Sequence, residues 1–442
     1  MEDFVQSIYR IIWGFPLLLT IFGIGLYFSV KLKFIQFRGL GQAFRYLLPA
    51  HRKQENGLIG DISTFASLCT ALSATLGTGN IVGIAVAVSV GGPGTLFWIV
   101  LSSIFSLAIK YCEGFLAIRY RKVGNDGKIA GGPMYYIEKG LHSRFLAKFF
   151  AISGMGVALI GIGTLAQTNS IAAAAASFGV PVGFTTVVLG IIVALVIFGG
   201  IHRIAEVAEK VVPFMTVLYL GTALVVLILR IDMLFPAIRL IIADAFSPKS
   251  FVGGTLGSAI IASIQTGMSR GIFCHEAGLG SAAIAAAAAK TQSPVQQGLI
   301  CMVGAFLSII VCIITGLVLV TADPTGVIET SMTASAFEHG LGIPHLGNSI
   351  VSLSIIFFAF TTIIGWNYYG EKCVQYFFGT GAIFAYRTLF LFFVIAGPFL
   401  QIKTAFVIAD IVIGLMAIPN IISLVALRKE IIAGTKNALK SH

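Results

Sequence analysis

The feature that most constrains how this chain can fold is a polar, glycine-containing segment inside a long hydrophobic run. The run covers about 63–90 and contains Gly77-Thr-Gly-Asn80. Each glycine costs about 1 kcal/mol relative to alanine inside a helix, and the Thr and Asn side chains bring polar atoms to the bilayer centre. Irregular backbone at that depth is tolerated only where it faces protein or a water-filled cavity. We therefore predict that the helix unwinds at 77–80 and forms a binding site. The alternative is a close helix–helix contact, which small residues also permit.

Composition indicates a polytopic membrane protein. Of the 442 residues, 57% are hydrophobic and 11% are charged, whereas soluble domains carry about 25% charged residues. The run 11–30 is long enough to span a bilayer and lacks a small-residue cleavage site, so it is predicted to be a retained span. The formal charge of +11 does not indicate nucleic-acid binding, since basic residues of membrane proteins gather in cytoplasmic loops. The six cysteines lack metal-ligand spacing and are expected to be buried.

Hydropathy predicts about eleven spans, at 11–30, 64–90, 95–118, 149–172, 183–200, 208–229, 255–289, 296–320, 348–371, 382–400 and 404–427. With this count, most of the 29 lysines and arginines fall on one side. That bias predicts a multi-pass membrane protein with its N-terminus outside and its C-terminus in the cytoplasm. Segment 231–247 is predicted to be an amphipathic helix on the outer surface, and 321–345 an external loop.

The ten spans after the first divide into two sets of five, and each set opens with an interrupted span. In the second set we place the interruption at Thr266–Gly271, followed by Glu276-Ala-Gly-Leu-Gly280. An odd number of spans per set puts the halves in opposite orientations. Two interrupted spans at matching positions of inverted halves indicate a secondary transporter with its binding site near the bilayer midplane.

The predicted fold class is therefore an all-α membrane protein with about 11 transmembrane helices, built as a 5+5 inverted repeat with one extra leading helix and two broken helices. The expected domains are a leading helix with a basic cytoplasmic segment (1–62), the first five-helix repeat (63–230), an external amphipathic linker (231–254), the second five-helix repeat (255–427) and a cytoplasmic tail (428–442).

The unwound backbone of the first break offers two kinds of ligand. Amide groups from Gly77 to Gly79 can bind a carboxylate, helped by the positive end of the helix that follows. Carbonyl groups at Ser73, Thr75 and Leu76 lose their helical partners and suit a dehydrated Na⁺ ion, which the Asn80 side-chain oxygen can also reach.

Two charged residues lie inside the seventh span. Arg270 and Glu276 are costly in a bilayer unless they are paired or hydrated, so they indicate function by default. A structural ion pair involving Lys110 or Glu113 is an equal alternative for Arg270, whereas a pathway or gating role is favoured for Glu276. His275 titrates near neutral pH in water, but a packing role is the better interpretation.

Two further spans carry candidate ligands. Gln167 lies about one turn before the end of the fourth span and can reach a small polar substrate, although polar residues at a span end are often interfacial. Thr361 and Thr362 offer hydroxyl oxygens to a cation. Thr362 and Trp366 are four residues apart and share a helix face. Trp366 can thus close an apolar pocket, the alternative being an interfacial aromatic.

At these residues the chain resembles the alanine or glycine:cation symporters, which are prokaryotic sodium-coupled carriers of small neutral amino acids. The resemblance extends over most of the chain. Its motifs are Gly77-Thr-Gly-Asn80, Gly91-Gly-Pro-Gly94, Lys110-Tyr-Cys-Glu-Gly114, Gly131-Gly-Pro-Met-Tyr-Tyr136, Arg270-Gly-Ile-Phe273, Glu276-Ala-Gly-Leu-Gly280 and Thr361-Thr-Ile-Ile-Gly-Trp-Asn-Tyr-Tyr-Gly-Glu371.

The resemblance implies the inverted-repeat fold of the bacterial leucine transporter, preceded by one extra span. It implies uptake of alanine or glycine by alternating access, driven by Na⁺ or in some members by H⁺, with no other cofactor. The implied substrate contacts are Thr78, Gly79, Gln167, Phe273, Thr362 and Trp366, to which the break itself adds Gly77. The implied sodium ligands are the carbonyls of Ser73 and Leu76 with Thr361 and Thr362, to which the break itself adds Asn80.

The sequence departs from the family pattern at two places. It has Cys274-His275 where the family usually has Ser-Asn, and Ser308-Ile309 where it usually has Asp-Thr. The missing carboxylate bears on any cation site fed by that span, and it keeps proton coupling or an altered amino-acid substrate as the alternative.

Two other classes of protein are less favoured. A channel requires a continuous polar pore with rings of charge, whereas this chain has two isolated breaks. A membrane enzyme requires a catalytic constellation, and the seven histidines form none with metal-ligand or nucleophile spacing. We therefore expect a transporter without enzymatic activity.

Overall fold

A computed structural model of the chain describes residues 8–9, 11–48, 55, 57–124, 127–246, 256–322, 332–400 and 403–440. In 256–262, 403–409 and 439–440 only the main chain is described. These residues form a bundle of helices, which confirms the predicted all-α class. Apolar segments of this length fold as helices because each helix satisfies its own peptide groups in a medium without water.

The helices of the first half are α1 (Phe15–Lys31), α2 (Ile35–Arg38), α3 (Leu40–Tyr46), α4 (Thr64–Thr75), α5 (Val82–Gly91), α6 (Thr95–Arg119), α7 (Pro133–Leu141), α8 (Arg144–Ile160), α9 (Leu165–Ala176), α10 (Val182–Ile197), α11 (Gly200–Leu229) and α12 (Ile231–Ala245). Two short strands, β1 (Lys122–Val123) and β2 (Ile129–Ala130), pair antiparallel between α6 and α7.

The helices of the second half are α13 (Leu256–His275), α14 (Ser281–Ala287), α15 (Pro294–Ala322), α16 (Met332–Leu341), α17 (Leu346–Phe378), α18 (Ile383–Ala396), α19 (Lys403–Ala426) and α20 (Arg428–Lys440). Three 3₁₀ turns, at Thr78–Asn80, Thr380–Ala382 and Gly397–Phe399, lie between helices.

Among the described residues, six helices are long and apolar enough to cross a membrane by length and composition. Four shorter apolar helices accompany them, and these are α1, α4, α5 and α10. Helices α4 and α5 together make up the single predicted span 64–90. The exact number of eleven spans stays a prediction, because interrupted spans divide into pieces that are each too short to cross alone.

The first predicted break is present. Helix α4 ends at Thr75, a single 3₁₀ turn covers Thr78–Asn80, and α5 begins at Val82. The extended conformation of Gly77 (φ −116°, ψ −166°) turns the chain between the two pieces.

The second break is shorter than predicted. Residues 266–271 are helical, so the break proposed for Thr266–Gly271 is wrong, and only 276–280 interrupts the span. Gly267 and Gly271 instead let α13 approach α6. A Cβ atom on Gly267 would lie 2.7 Å from Trp98 Cβ, and one on Gly271 would lie 2.8 Å from Ser102 Oγ. Small residues four apart serve close helix packing here.

Two further segments differ from expectation. The predicted continuous span 149–172 is interrupted at 161–164, between α8 and α9. Gly163 allows this interruption to contact α17, since a Cβ atom there would lie 2.6 Å from Trp366 Cβ. The expected loop 321–345 contains α16, while its residues 323–331 lie outside the described ones. The amphipathic helix predicted at 231–247 is α12, which ends at Ala245.

One end of the bundle, which carries the basic loop between α6 and α7 and is called the basic end below, ties the two broken spans together. The backbone before α4 pairs with the backbone after α14: Ile62 N donates to Ala288 O (3.1 Å) and Lys290 N donates to Ile62 O (2.8 Å). Gly60 permits this approach, since a Cβ atom there would lie 2.5 Å from the Lys290 backbone.

Arg121, which follows α6 directly, reinforces this tie with its side chain. Its guanidinium donates to the carbonyls of Ala287 (2.9 Å), Ala289 (2.7 Å) and Ile59 (2.9 Å), and also to that of Thr291. Four carbonyls, from α14 and from the segments that precede α4 and follow α14, thus share one cation, so the arrangement holds the two broken spans together at the basic end.

Replacing Arg121 by glutamine is expected to loosen the basic end. Hydrogen bonds to a charged donor contribute about 1.5–3 kcal/mol each, so losing even one should speed amide exchange locally about tenfold or more. The measurement is hydrogen–deuterium exchange of peptides covering 57–63 and 285–291. Arg119→Gln is the control, because Arg119 is exposed and pairs with Glu430 instead. Equal exchange in wild type and Arg121→Gln would contradict the proposed tie.

Candidate functional site

A cavity of about 310 Å³ lies beside the first break. Its wall combines residues of both broken spans with residues of the α8–α9 segment, α17 and α19. The sequence-predicted residues that line it are Gly77, Thr78, Gly79, Asn80, Gln167, Arg270, Phe273, Glu276 and Thr362. This volume is at the lower end of the range for ligand pockets, so the cavity suits a small ligand.

Free backbone amides line the cavity at the first break. Gly79 is exposed although its neighbours in the sequence are buried. In the part of the chain that the structure describes, the amides of Thr78 and Gly79 have no hydrogen-bond partner, whereas Gly77 N donates to Asn80 Oδ1 (3.2 Å). Two adjacent unpaired amides beside a cavity are suited to bind an anionic group such as a carboxylate.

Three elements meet at Gly77. A Cβ atom on Gly77 would lie 2.8 Å from Thr362 Oγ1 and 3.4 Å from Gln167 Nε2. Gln167 is anchored by donating to Ile162 O (3.0 Å), and its buried side-chain oxygen has no partner among the described residues. The structure therefore brings together the first break, the fourth span and the ninth span, as the candidate residues require.

Oxygen atoms gather directly behind the break. Thr362 Oγ1 lies 3.1 Å from the carbonyl oxygen of Ser73 and 3.4 Å from that of Leu76. Thr362 also lines the cavity, whereas Ser73 and Leu76 are fully buried behind it. This group of oxygens has the chemistry of a site for Na⁺, a cation that binds oxygen ligands.

Two predicted residues lie elsewhere. The Thr361 hydroxyl approaches Met215 Sδ (3.5 Å) and Phe358 O (3.0 Å), not the carbonyls of the first break. Consecutive residues of an α-helix point about 100° apart, so Thr361 and Thr362 face different neighbours. Trp366 is fully buried against Tyr369 and the Glu276 carboxyl group, and it does not form part of the cavity wall.

Asn80 lines the cavity and also links neighbouring helices through hydrogen bonds. Its Nδ2 donates to Ser308 Oγ (2.8 Å) and to Cys274 O (3.3 Å), and Ser308 Oγ donates to the same carbonyl (2.5 Å). Together with the Gly77 contact, these bonds connect the first break to α13 and α15. Ser308, at the position where the family usually has Asp, thus takes part in a hydrogen-bonded link.

The second break contributes Glu276 to the cavity. Glu276 has a left-handed backbone conformation (φ 53°), and its Oε2 accepts from Ser281 Oγ (2.5 Å). His275 is fully buried, and its Nδ1 accepts from Ala277 N (3.1 Å). That hydrogen bond supports the packing role for His275.

Sequence reasoning missed two residues at the cavity, namely Asp410 in its wall and Trp13 behind Phe273. Asp410 lines it together with Arg270, and the two charges interact. Trp13 stacks on Phe273 with ring centroids 4.5 Å apart, and its indole nitrogen donates to Asp410 O (2.8 Å). Asp410 gave a signal, since it is a carboxylate within a predicted span. Trp13 gave none, because its contact depends on how the leading segment packs.

Comparisons with known proteins agree with this architecture. The model of the sodium:alanine symporter family matches residues 1–441. The sodium/alanine symporter AgcS of Methanococcus maripaludis is 42% identical, over 98% of this chain and 96% of AgcS. An uncharacterized transporter of Haemophilus influenzae is 48% identical, over 99% of this chain and 96% of that protein.

Solved structures extend the comparison to the fold. The crystal structure of MhsT in complex with L-phenylalanine matches with a TM-score of 0.57, over 82% of this chain and 89% of MhsT, at 14% sequence identity. Similarity at so low an identity shows a common fold, that of the bacterial leucine transporter. The helical architecture, the two broken spans and the full-length family match lead to one conclusion: the chain belongs to the sodium:alanine symporter family, a family of membrane transporters.

Proposed function

We propose that this chain imports alanine, and secondarily glycine, together with Na⁺ by alternating access. The observation that carries the proposal is the first break. There, Thr78 and Gly79, whose amides have no partner among the described residues, line a cavity, while the carbonyl oxygens of Ser73 and Leu76 lie within 3.4 Å of Thr362 Oγ1. The 42% identity to the sodium/alanine symporter AgcS over nearly the full length supports the same function.

In this proposal the amino acid lies across the first break. Its carboxylate binds the amides of Thr78 and Gly79, with Gly77 leaving space for it. Gln167 offers a buried side-chain oxygen that has no partner among the described residues, and an ammonium group can donate to it. Phe273 bounds the side chain, with Trp366 behind the wall. A cavity of about 310 Å³ is consistent with a small neutral amino acid.

The sodium ion in this proposal binds the carbonyls of Ser73 and Leu76 with the hydroxyl of Thr362. The distances around Thr362 Oγ1 support this ligand more directly than Thr361 or Asn80, whose polar atoms contact other groups. Na⁺ coupling is the primary assignment, and proton coupling remains the alternative because Ser308 replaces a carboxylate.

Gating is assigned to charged residues of the cavity wall. Arg270 lies over the ring of Phe273, on which Trp13 stacks, and it lines the cavity together with Asp410. An approach of Arg270 and Asp410 would close this side of the cavity, and Glu276 lines the pathway. We infer that the basic end is cytoplasmic, which puts the N-terminus outside and the C-terminus inside a prokaryotic plasma membrane.

The direct test is uptake of labelled alanine into proteoliposomes. We expect accumulation only with an inward Na⁺ gradient, and competition by glycine but not by large amino acids, because the cavity is small. Equal accumulation without a Na⁺ gradient would reject sodium coupling. Accumulation driven by a pH gradient alone would favour the proton alternative, and failure of alanine to compete for its own uptake would reject the substrate.

Removing the Thr362 hydroxyl tests the sodium site. Thr362→Val keeps the shape of the side chain but deletes one oxygen. We expect at least about a tenfold loss of sodium affinity, since changes merely adjacent to metal ligands already cost 10–100-fold. Sodium-dependent alanine binding by scintillation proximity measures the effect. Thr361→Val is the matched control, because that hydroxyl faces Met215. An equal loss in both variants would contradict the distinction between the two threonines.

A further inference from the structure

The second break lacks the free amides that the first break offers. Within 276–280, Glu276, Gly278 and Gly280 all have positive φ (53°, 86° and 78°), so the helix is fully interrupted. Every amide of the segment is nevertheless bonded. The bonds are Glu276 N to Ile272 O (2.8 Å), Ala277 N to His275 Nδ1 (3.1 Å), Gly278 N to Glu113 Oε1 (2.9 Å), Leu279 N to Glu276 O (3.3 Å) and Gly280 N to Glu113 Oε1 (3.1 Å).

One carboxylate from another helix satisfies two of these amides. Glu113 extends from α6, is 1% exposed, and also accepts from Asn420 Nδ2 (2.8 Å) through the same oxygen. Asn420 in turn donates to Gly278 O (2.8 Å) and accepts from Tyr136 OH. Glu113 of α6 and Asn420 of α19 thus both bind the second break, and Asn420 also links it to Tyr136 of α7.

The charge of Glu113 is balanced locally. Lys110, one turn earlier on α6 and 2% exposed, lies 3.6 Å from Glu113 Oε2. A buried carboxyl oxygen that receives three donors and has a cationic side chain nearby is a strong hydrogen-bond acceptor. Glu276, which belongs to the second break itself, lines the cavity.

We propose that Glu113 is a positioning residue of the transport site, a built-in hydrogen-bond acceptor that holds the second break open and thereby positions Glu276 at the cavity. Its carboxyl oxygen binds amides of the second break, as the substrate carboxylate is proposed to bind amides of the first. The two breaks then differ in role, because one binds the transported solute and the other is held by the protein itself. This inference rests on the proposed function, since it assigns a new residue to the same site.

The test uses the full chain in nanodiscs and three variants. Glu113→Leu removes every acceptor, and Glu113→Gln keeps one carbonyl oxygen but no charge. Glu371→Gln is the matched control, because it also removes a buried carboxylate from an ion pair. Glu371 pairs with Arg387 at 2.8 Å and lies on α17, outside the second break. Alanine affinity in saturating NaCl is measured by calorimetry, and sodium affinity is measured without alanine.

We expect Glu113→Leu to raise the Kd for alanine at least about tenfold, since two buried amides lose a charged acceptor, at unchanged binding stoichiometry. The Kd for sodium should change less, because its proposed ligands lie on the other broken span and α17. A merely structural role would lower the fraction of folded, binding-competent protein but leave the Kd of that fraction unchanged. That result, or an equal Kd shift in Glu371→Gln, would overturn the proposal.

Glu113→Gln keeps the proposal testable if Glu113→Leu does not fold. Weaker acceptance by a neutral oxygen should speed deuterium exchange in a peptide covering 276–281, while distant helices stay unchanged. Unchanged exchange there would overturn the proposal. Wild-type protein that fails to bind alanine with Na⁺ would instead reject the proposed function, and the exchange experiment would still decide whether Glu113 holds the break.

Discussion

The need to satisfy peptide groups inside a bilayer governs this structure. A regular helix meets that need by itself, and wherever the helix stops, another group must take over. At the second break Glu113 and Asn420 take over. At the first break Asn80 takes over only in part, and two amides still face the cavity. The location of the proposed binding site follows from this difference between the two breaks.

The sequence was sufficient to predict the helical class, the first break and most residues that line the cavity. Polar residues and glycines within an apolar run are strong signals, because bilayers select against them. The same signal was ambiguous at Gly267 and Gly271, where glycine serves close packing against α6 instead of a break. The same pair of glycines is compatible with a break or with close packing, and the position of the neighbouring helix determines which of the two occurs.

What the sequence could not supply was mostly contact between distant segments. Nothing local indicates that Trp13 covers Phe273, or that the Glu113 carboxylate reaches the amides of Gly278 and Gly280. Helix phase was the other limit. Both Thr361 and Thr362 were reasonable cation ligands by residue type, and the rotation of α17 brings only Thr362 to the carbonyls of the first break.

The short stretch from Ser73 to Gly79 has a thermodynamic consequence under the proposed assignment. Nearby peptide units of this stretch present oxygens to the ion and hydrogens to the amino acid. The positive charge of the ion lies close to these N–H groups and favours a carboxylate bound to them, with no side chain as intermediary. Each solute should then tighten the other by an equal factor, because binding free energies are reciprocal. Co-transport would then begin with cooperative binding of the ion and the amino acid at one segment of backbone.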